Sequence, residues 1–170
     1  LQNNAVVQDY QKSEHHGNIL DAIRSNFNSV ANDASVAELT GQEFQKTSAD
    51  KRSLRTKVID FFNSIGNKVT REDMGDIELN VSGARDSLAH GYGKLKAATF
   101  AALPDVLQKG KIIEHNDPYE GHNYDSYIIS APVMVGGEKV YVGALVIKDR
   151  TQRYKLHEVL TTNESGAPLF

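Results

Sequence analysis

The sequence predicts an α+β fold, with N-terminal helices followed by a four-stranded antiparallel meander sheet. Three observations carry that expectation. Apolar residues recur at helical spacing before Gly110, the period drops to two after it, and Gly136-Gly137 interrupts the second half where a tight hairpin belongs. A run of helices followed by a run of strands belongs to the α+β class rather than to an alternating, parallel α/β chain.

The elements follow in order. Residues 1–50 are rich in Asn, Gln, Ser and Asp, with two glycines and no proline. Within them Ile19, Leu20, Ile23, Phe27 and Val30 predict a short amphipathic helix over about 18–31, and Ser35 to Phe44 a further turn or two. Leu54, Val58, Phe61, Phe62 and Ile65 form one apolar stripe that predicts a helix over 54–65, ended by Gly66. Residues 67–79 read as two short strands, a hairpin around the acidic turn at 72–76, or an extended entry to the core. Residues 94–108 are helical in pattern, with Pro104 restarting or kinking the helix and Gly110 ending it. Strands are then expected from Ile112-Ile113, over 124–135, over 139–148 and over 153–161. On the last, alternation places Lys155, His157 and Val159 on one face and Tyr154, Leu156, Glu158 and Leu160 on the other. The expected organisation is a polar, partly helical segment or linker over 1–50, one α+β domain over 51–162, and a flexible tail over 163–170.

Bulk properties narrow the function. The chain has 170 residues, 39% hydrophobic and 24% charged, as in a globular protein. It has no cysteine, hence no disulfide and no thiolate ligand or nucleophile. No apolar run approaches the roughly 20 residues that a membrane span requires. The net charge is −3, yet residues 1–83 hold nine Lys/Arg against twelve Asp/Glu while residues 84–160 hold ten against nine. A global basic field is excluded; a local basic cleft in the second half is not. The chain starts at Leu1 rather than Met, which reads as a piece of a longer polypeptide.

The chemistry concentrates in Asp86-Ser-Leu-Ala-His-Gly-Tyr-Gly-Lys-Leu-Lys96. Ser87 and His90 are three apart and share a face on a helical turn; Gly91 and Gly93 break that turn; Lys94 and Lys96 follow with positive charge. No metal cluster, Walker loop or G-x-S-x-G elbow is present, so neither metal nor cofactor is expected. His157 on the last strand is the second histidine of interest. Cleavage of RNA by its own 2′-hydroxyl needs a base, an acid and cations for the charged phosphorane. Two histidines can divide the first two roles, and lysines supply the third. The candidate catalytic residues are therefore His90, His157 and Lys96, with the acid and base left unassigned. Ser87, Lys94, Asp125, Tyr127 and Lys148 are the candidate substrate-binding residues. His115 and His122, flanking a polar loop, read as exposed residues.

The string from Ser87 to Lys96, then Ala102-Leu-Pro104-Asp-Val106, Gly110-Lys-Ile-Ile113, Tyr124-Asp125, Ala131-Pro132-Val133 and Tyr154-Lys-Leu-His157-Glu-Val159, resembles a family of phage-associated domains. These are found at the ends of MuF-type head-morphogenesis proteins and of large polyvalent phage and mobile-element proteins. They are grouped with the barnase–EndoU–RelE-like (BECR) nucleases. The resemblance covers roughly residues 55–162. It implies a BECR-like fold and a metal-independent endoribonuclease toxin or effector, acting on RNA such as tRNA, with His90 and His157 as its pair. It also implies an immunity or antitoxin partner, a larger phage or mobile-element polypeptide around the domain, no membrane, and action in the cytoplasm of a target bacterium. The alternative is a non-catalytic interaction module of such a polyprotein.

Overall fold

A computed structural model describes residues 19–79, 94–116, 125–148 and 150–167. Residues 19–25 are helical and lead into α1 (Phe27–Val30). There follow β1 (Glu38–Leu39), α2 (Leu54–Ser64), β2 (Lys68–Arg71), β3 (Gly75–Glu78) and α3 (Lys94–Thr99). A 3-10 turn (Phe100–Ala102) joins α3 to α4 (Leu103–Lys109), and β4 (Lys111–Asn116), β5 (Asp125–Val135), β6 (Glu138–Lys148) and β7 (Tyr154–Thr162) complete the chain.

The α+β class holds, but the sheet is not a four-stranded antiparallel meander. It has seven strands in the order β1-β5-β6-β7-β3-β2, with β4 also paired to β5. The antiparallel succession β4-β5-β6-β7 lies inside it. Two parallel pairings enlarge it: β1 against β5 through Glu38↔Met134 and Leu39↔Val135, and β3 against β7 through Ile77↔Tyr154 and Glu78↔Lys155. Strands therefore come before and between the helices. The 35–44 stretch, expected to turn helically, instead supplies β1, because Met134 and Gly136 donate backbone hydrogen bonds to Ala37 and Leu39. An edge left unpaired costs more than a weak local helical preference can return.

Local signals explain the helices. The Ser53 hydroxyl caps α2 by accepting from the Thr56 N–H at 3.2 Å. Gly66, at φ 81°, turns the chain so that Asn67 donates back to Phe62 at 2.8 Å. Ile65, expected in the apolar stripe, stays 37% exposed because it sits at the helix end. Pro104 restarts the helix in the first turn of α4, after the 3-10 turn.

The sheet is covered on both faces. Val58 and Phe62 of α2, with Phe100, Leu103, Val106 and Leu107, pack on Ile129, Val133, Val142, Val146 and Leu156. On the opposite face Ile19, Ala22, Ile23 and Val30 pack on Ile128, Tyr141, Leu145 and Leu160. Gly143 makes room there, since a Cβ would lie 2.7 Å from the end of Ile23.

Arg71 ties the β2–β3 hairpin to α4. Its guanidinium donates to the carbonyls of Leu107 (2.9 Å) and Gly110 (2.7 Å) and pairs with Asp73 at 2.6 Å. It supplies a cation and two hydrogen bonds where the helix leaves its last carbonyls unsatisfied. Arg71→Met is expected to cost about 2–3 kcal/mol in urea unfolding, because buried carbonyls lose charged donors. An unchanged midpoint would show that water replaces the guanidinium at no cost.

Candidate functional site

The candidate residues that the structure brings together gather at one end of the sheet, on the face that carries α2 and α4. Cross-strand register brings it together. His115 pairs with Tyr127 across β4 and β5, Asp125 with Lys148 across β5 and β6, and Lys148 with Tyr154 across β6 and β7. The His115 imidazole stacks on Tyr127 at 4.1 Å and 9°. Tyr127 meets Tyr154 edge-on at 5.6 Å, and the Lys148 ammonium lies 5.5 Å from the Tyr154 ring centre. Tyr127 and Tyr154 also rest on the main core, which fixes their planes. Three of the sequence-predicted binding residues, Asp125, Tyr127 and Lys148, thus fall in one cluster.

His157 lies on β7, three residues beyond Tyr154. Strict alternation fails around it. Leu145 pairs with Glu158 and Val146 with Leu156, so His157 is the extra residue of a β-bulge. In consequence Leu156 and Val159 belong to the same core, and the two-faced pattern expected for β7 is broken at His157. The histidine is half-buried and the Glu158 beside it is buried.

Ser87 and His90 lie outside the described residues. Lys94 and Lys96 fall in the first turn of α3, and their side chains also lie outside what is described. The backbone on either side of the Ser87–His90 stretch is fixed, however. Before it, Glu78 pairs with Lys155 of β7. After it, the Thr99 hydroxyl at the end of α3 meets the Thr161 hydroxyl of β7 at 3.1 Å, both side chains fully buried. Glu78 and Thr99 therefore both meet the strand of His157, at Lys155 and Thr161, one on each side of it.

His115, read from sequence as an exposed loop neighbour, is indeed exposed, but it belongs to the ring cluster. Tyr154, read from sequence as a strand residue on the face opposite His157 and not as a site residue, belongs to it as well. The signal for both was the β4–β5 and β6–β7 register. It is obscured by irregularities between Ile112 and Glu114 and between Leu145 and Val146.

Elsewhere a concavity of about 420 Å³ lies between Phe44, Asp50, Arg52, Lys57, Asp60 and Phe61. Its charges are consumed internally. Arg52 pairs with Asp50 at 2.8 Å and with Asp60, and holds the Asp50 carboxyl well below the usual carboxylate range. The buried Lys57 ammonium donates to the Gln45 and Asp50 carbonyls. This cluster fastens the 44–52 loop to α2. Among the described residues no group of three or more acidic or histidine side chains could hold a metal ion, and no helix is long and apolar enough to cross a membrane.

The family model of large polyvalent protein-associated domain 3 matches residues 49–156, from just before α2 to the residue preceding His157. No curated protein and no solved structure matches the chain.

Proposed function

The chain belongs to the large polyvalent protein-associated domain 3 family, and from that premise we propose that it is a metal-independent endoribonuclease module of a phage or mobile-element polypeptide. The observation that carries the reading is that Glu78 and Thr99, described residues before and after the segment that holds His90 in sequence, both meet the strand that carries His157. A ring-and-lysine cluster stands on the same strand, at Tyr154.

In this reading one histidine removes the proton of a ribose 2′-hydroxyl, whose oxygen attacks the adjacent phosphorus. The other histidine protonates the departing 5′-oxygen. The P–O5′ bond breaks as the P–O2′ bond forms, and the products are a 2′,3′-cyclic phosphate and a 5′-hydroxyl. Lys96, with Lys94, balances the extra negative charge of the phosphorane. Ser87, Asp125, Tyr127 and Lys148 hold the strand. RNA, tRNA included, is the substrate, an immunity protein is the natural inhibitor, and the cytoplasm of a target bacterium is the place of action.

The test is incubation of the purified protein with total tRNA and rRNA in EDTA, beside His90→Ala. Discrete products ending in cyclic phosphate, made by the wild type alone, are the expected result. Intact RNA after incubation with folded wild-type protein would discard the nuclease and leave the non-catalytic interaction module.

A further inference from the structure

The β6–β7 connection carries a concentration of positive charge of which the proposed chemistry uses only Lys148. Residues 148–155 hold Lys148, Arg150, Arg153 and Lys155 against the single acidic Asp149, in a chain of net charge −3. Arg150 and Arg153 are exposed. The Arg153 side chain is 68% exposed and forms an ion pair with Glu78 at 3.8 Å, a surface pairing that leaves the guanidinium open to solvent. Lys155 pairs with Ile147 and belongs to the other face of the sheet. Lys148 lies on the face of the rings, opposite Asp125. A basic connection therefore borders a set of rings, with His115 exposed on Tyr127 at the rim.

We propose that this end of the sheet is a docking surface for single-stranded RNA. Arg150 and Arg153 contact phosphates there, and the His115–Tyr127 stack receives an unpaired base. Planar side chains at the rim of a basic surface suit a strand whose bases are splayed out, since bases inside a duplex offer no face to stack upon. A purely acidic protein partner would use the arginines and leave the rings idle. The surface begins about 10 Å along β7 from His157, at roughly 3.3 Å per residue. As a guide for substrate it rests on the ribonuclease reading; as a binding surface it is separable from it.

The test is fluorescence anisotropy with a short single-stranded RNA bearing 2′-O-methyl groups, which cannot be cleaved, beside its duplex and poly-glutamate as competitor. The wild type is expected to prefer the single strand. The Arg150→Glu/Arg153→Glu double variant should bind it about tenfold more weakly, with the salt slope reduced by about 1.4, or ~0.7 per lost contact. His115→Ala should weaken the single strand about tenfold and leave the duplex unchanged. Binding unmoved by the double variant, equal affinity for duplex, or displacement by poly-glutamate as readily as by RNA would each overturn the proposal. Tight binding of the blocked RNA together with intact ordinary RNA would keep this surface and remove the nuclease. Cleavage with binding unmoved by charge reversal would do the opposite.

Discussion

His157→Ala is expected to lower RNA cleavage by at least about 10²-fold, since a positioned acid or base contributes roughly 10²–10⁴. The fold should survive the change. His157 is half-buried and is the extra residue of the bulge, since Leu145 pairs with Glu158 and Val146 with Leu156. The packing of this part of β7 comes instead from Leu156, Val159 and Leu160, all buried. A bulge spends one residue of ladder pairing to re-aim a side chain, and such features gather beside functional sites. The loss should therefore fall on kcat, with KM little changed, and urea unfolding should move by less than about 1 kcal/mol, as for a substitution outside the core. Full activity in His157→Ala would remove this residue from the mechanism. A drop in activity matched by a drop in stability would make it a packing residue.

Gly110→Ala is the second large effect, and it is structural. Gly110 sits where α4 turns into β4, at φ −67°, so its need for glycine is one of space and not of backbone angle. A Cβ there would lie 2.5 Å from the Val106 carbonyl oxygen, 2.8 Å from Ile129 Cγ2 and 3.0 Å from the Ser130 carbonyl oxygen. Two of these three are backbone atoms, which cannot rotate away. Relief requires α4 to lift from β5, and the Arg71 bridge to the Gly110 carbonyl would move with it. Overpacking of this kind costs about 3 kcal/mol. At roughly 2–4 °C per kcal/mol for a domain of this size, the melting temperature should fall by about 6–12 °C. Gly66→Ala is the comparison: φ there is 81° and nothing lies within 4 Å of the new Cβ. Its cost should stay near 1 kcal/mol, from backbone conformation alone. Equal losses in the two variants would mean that close approach at Gly110 is not what the glycine provides.

Much of this architecture is legible residue by residue. Gly66 and Gly110 end helices, Pro104 restarts one, and Gly136-Gly137 turns a hairpin at φ 57° and 85° because few other residues accept such angles. These are local constraints, written where they act. The ring cluster is half-legible. Asp125, Tyr127 and Lys148 were suggested by residue type, whereas Tyr154 and His115 join them only through cross-strand register.

What the chain determines alone, for most segments though not for 35–44 or the faces of β7, is which become helix or strand and which face of each is apolar, since propensity and period are properties of neighbours in sequence. What tertiary structure decides is which strands share hydrogen bonds and in what register. A period of two marks a strand without naming its partner, so the parallel pairings of β1 with β5 and β3 with β7 become visible only when edges compete for satisfied backbone groups. The same holds for His157. One extra residue in β7 breaks the alternation that sequence assigns to it, because a single-residue slip exchanges the two faces of a strand.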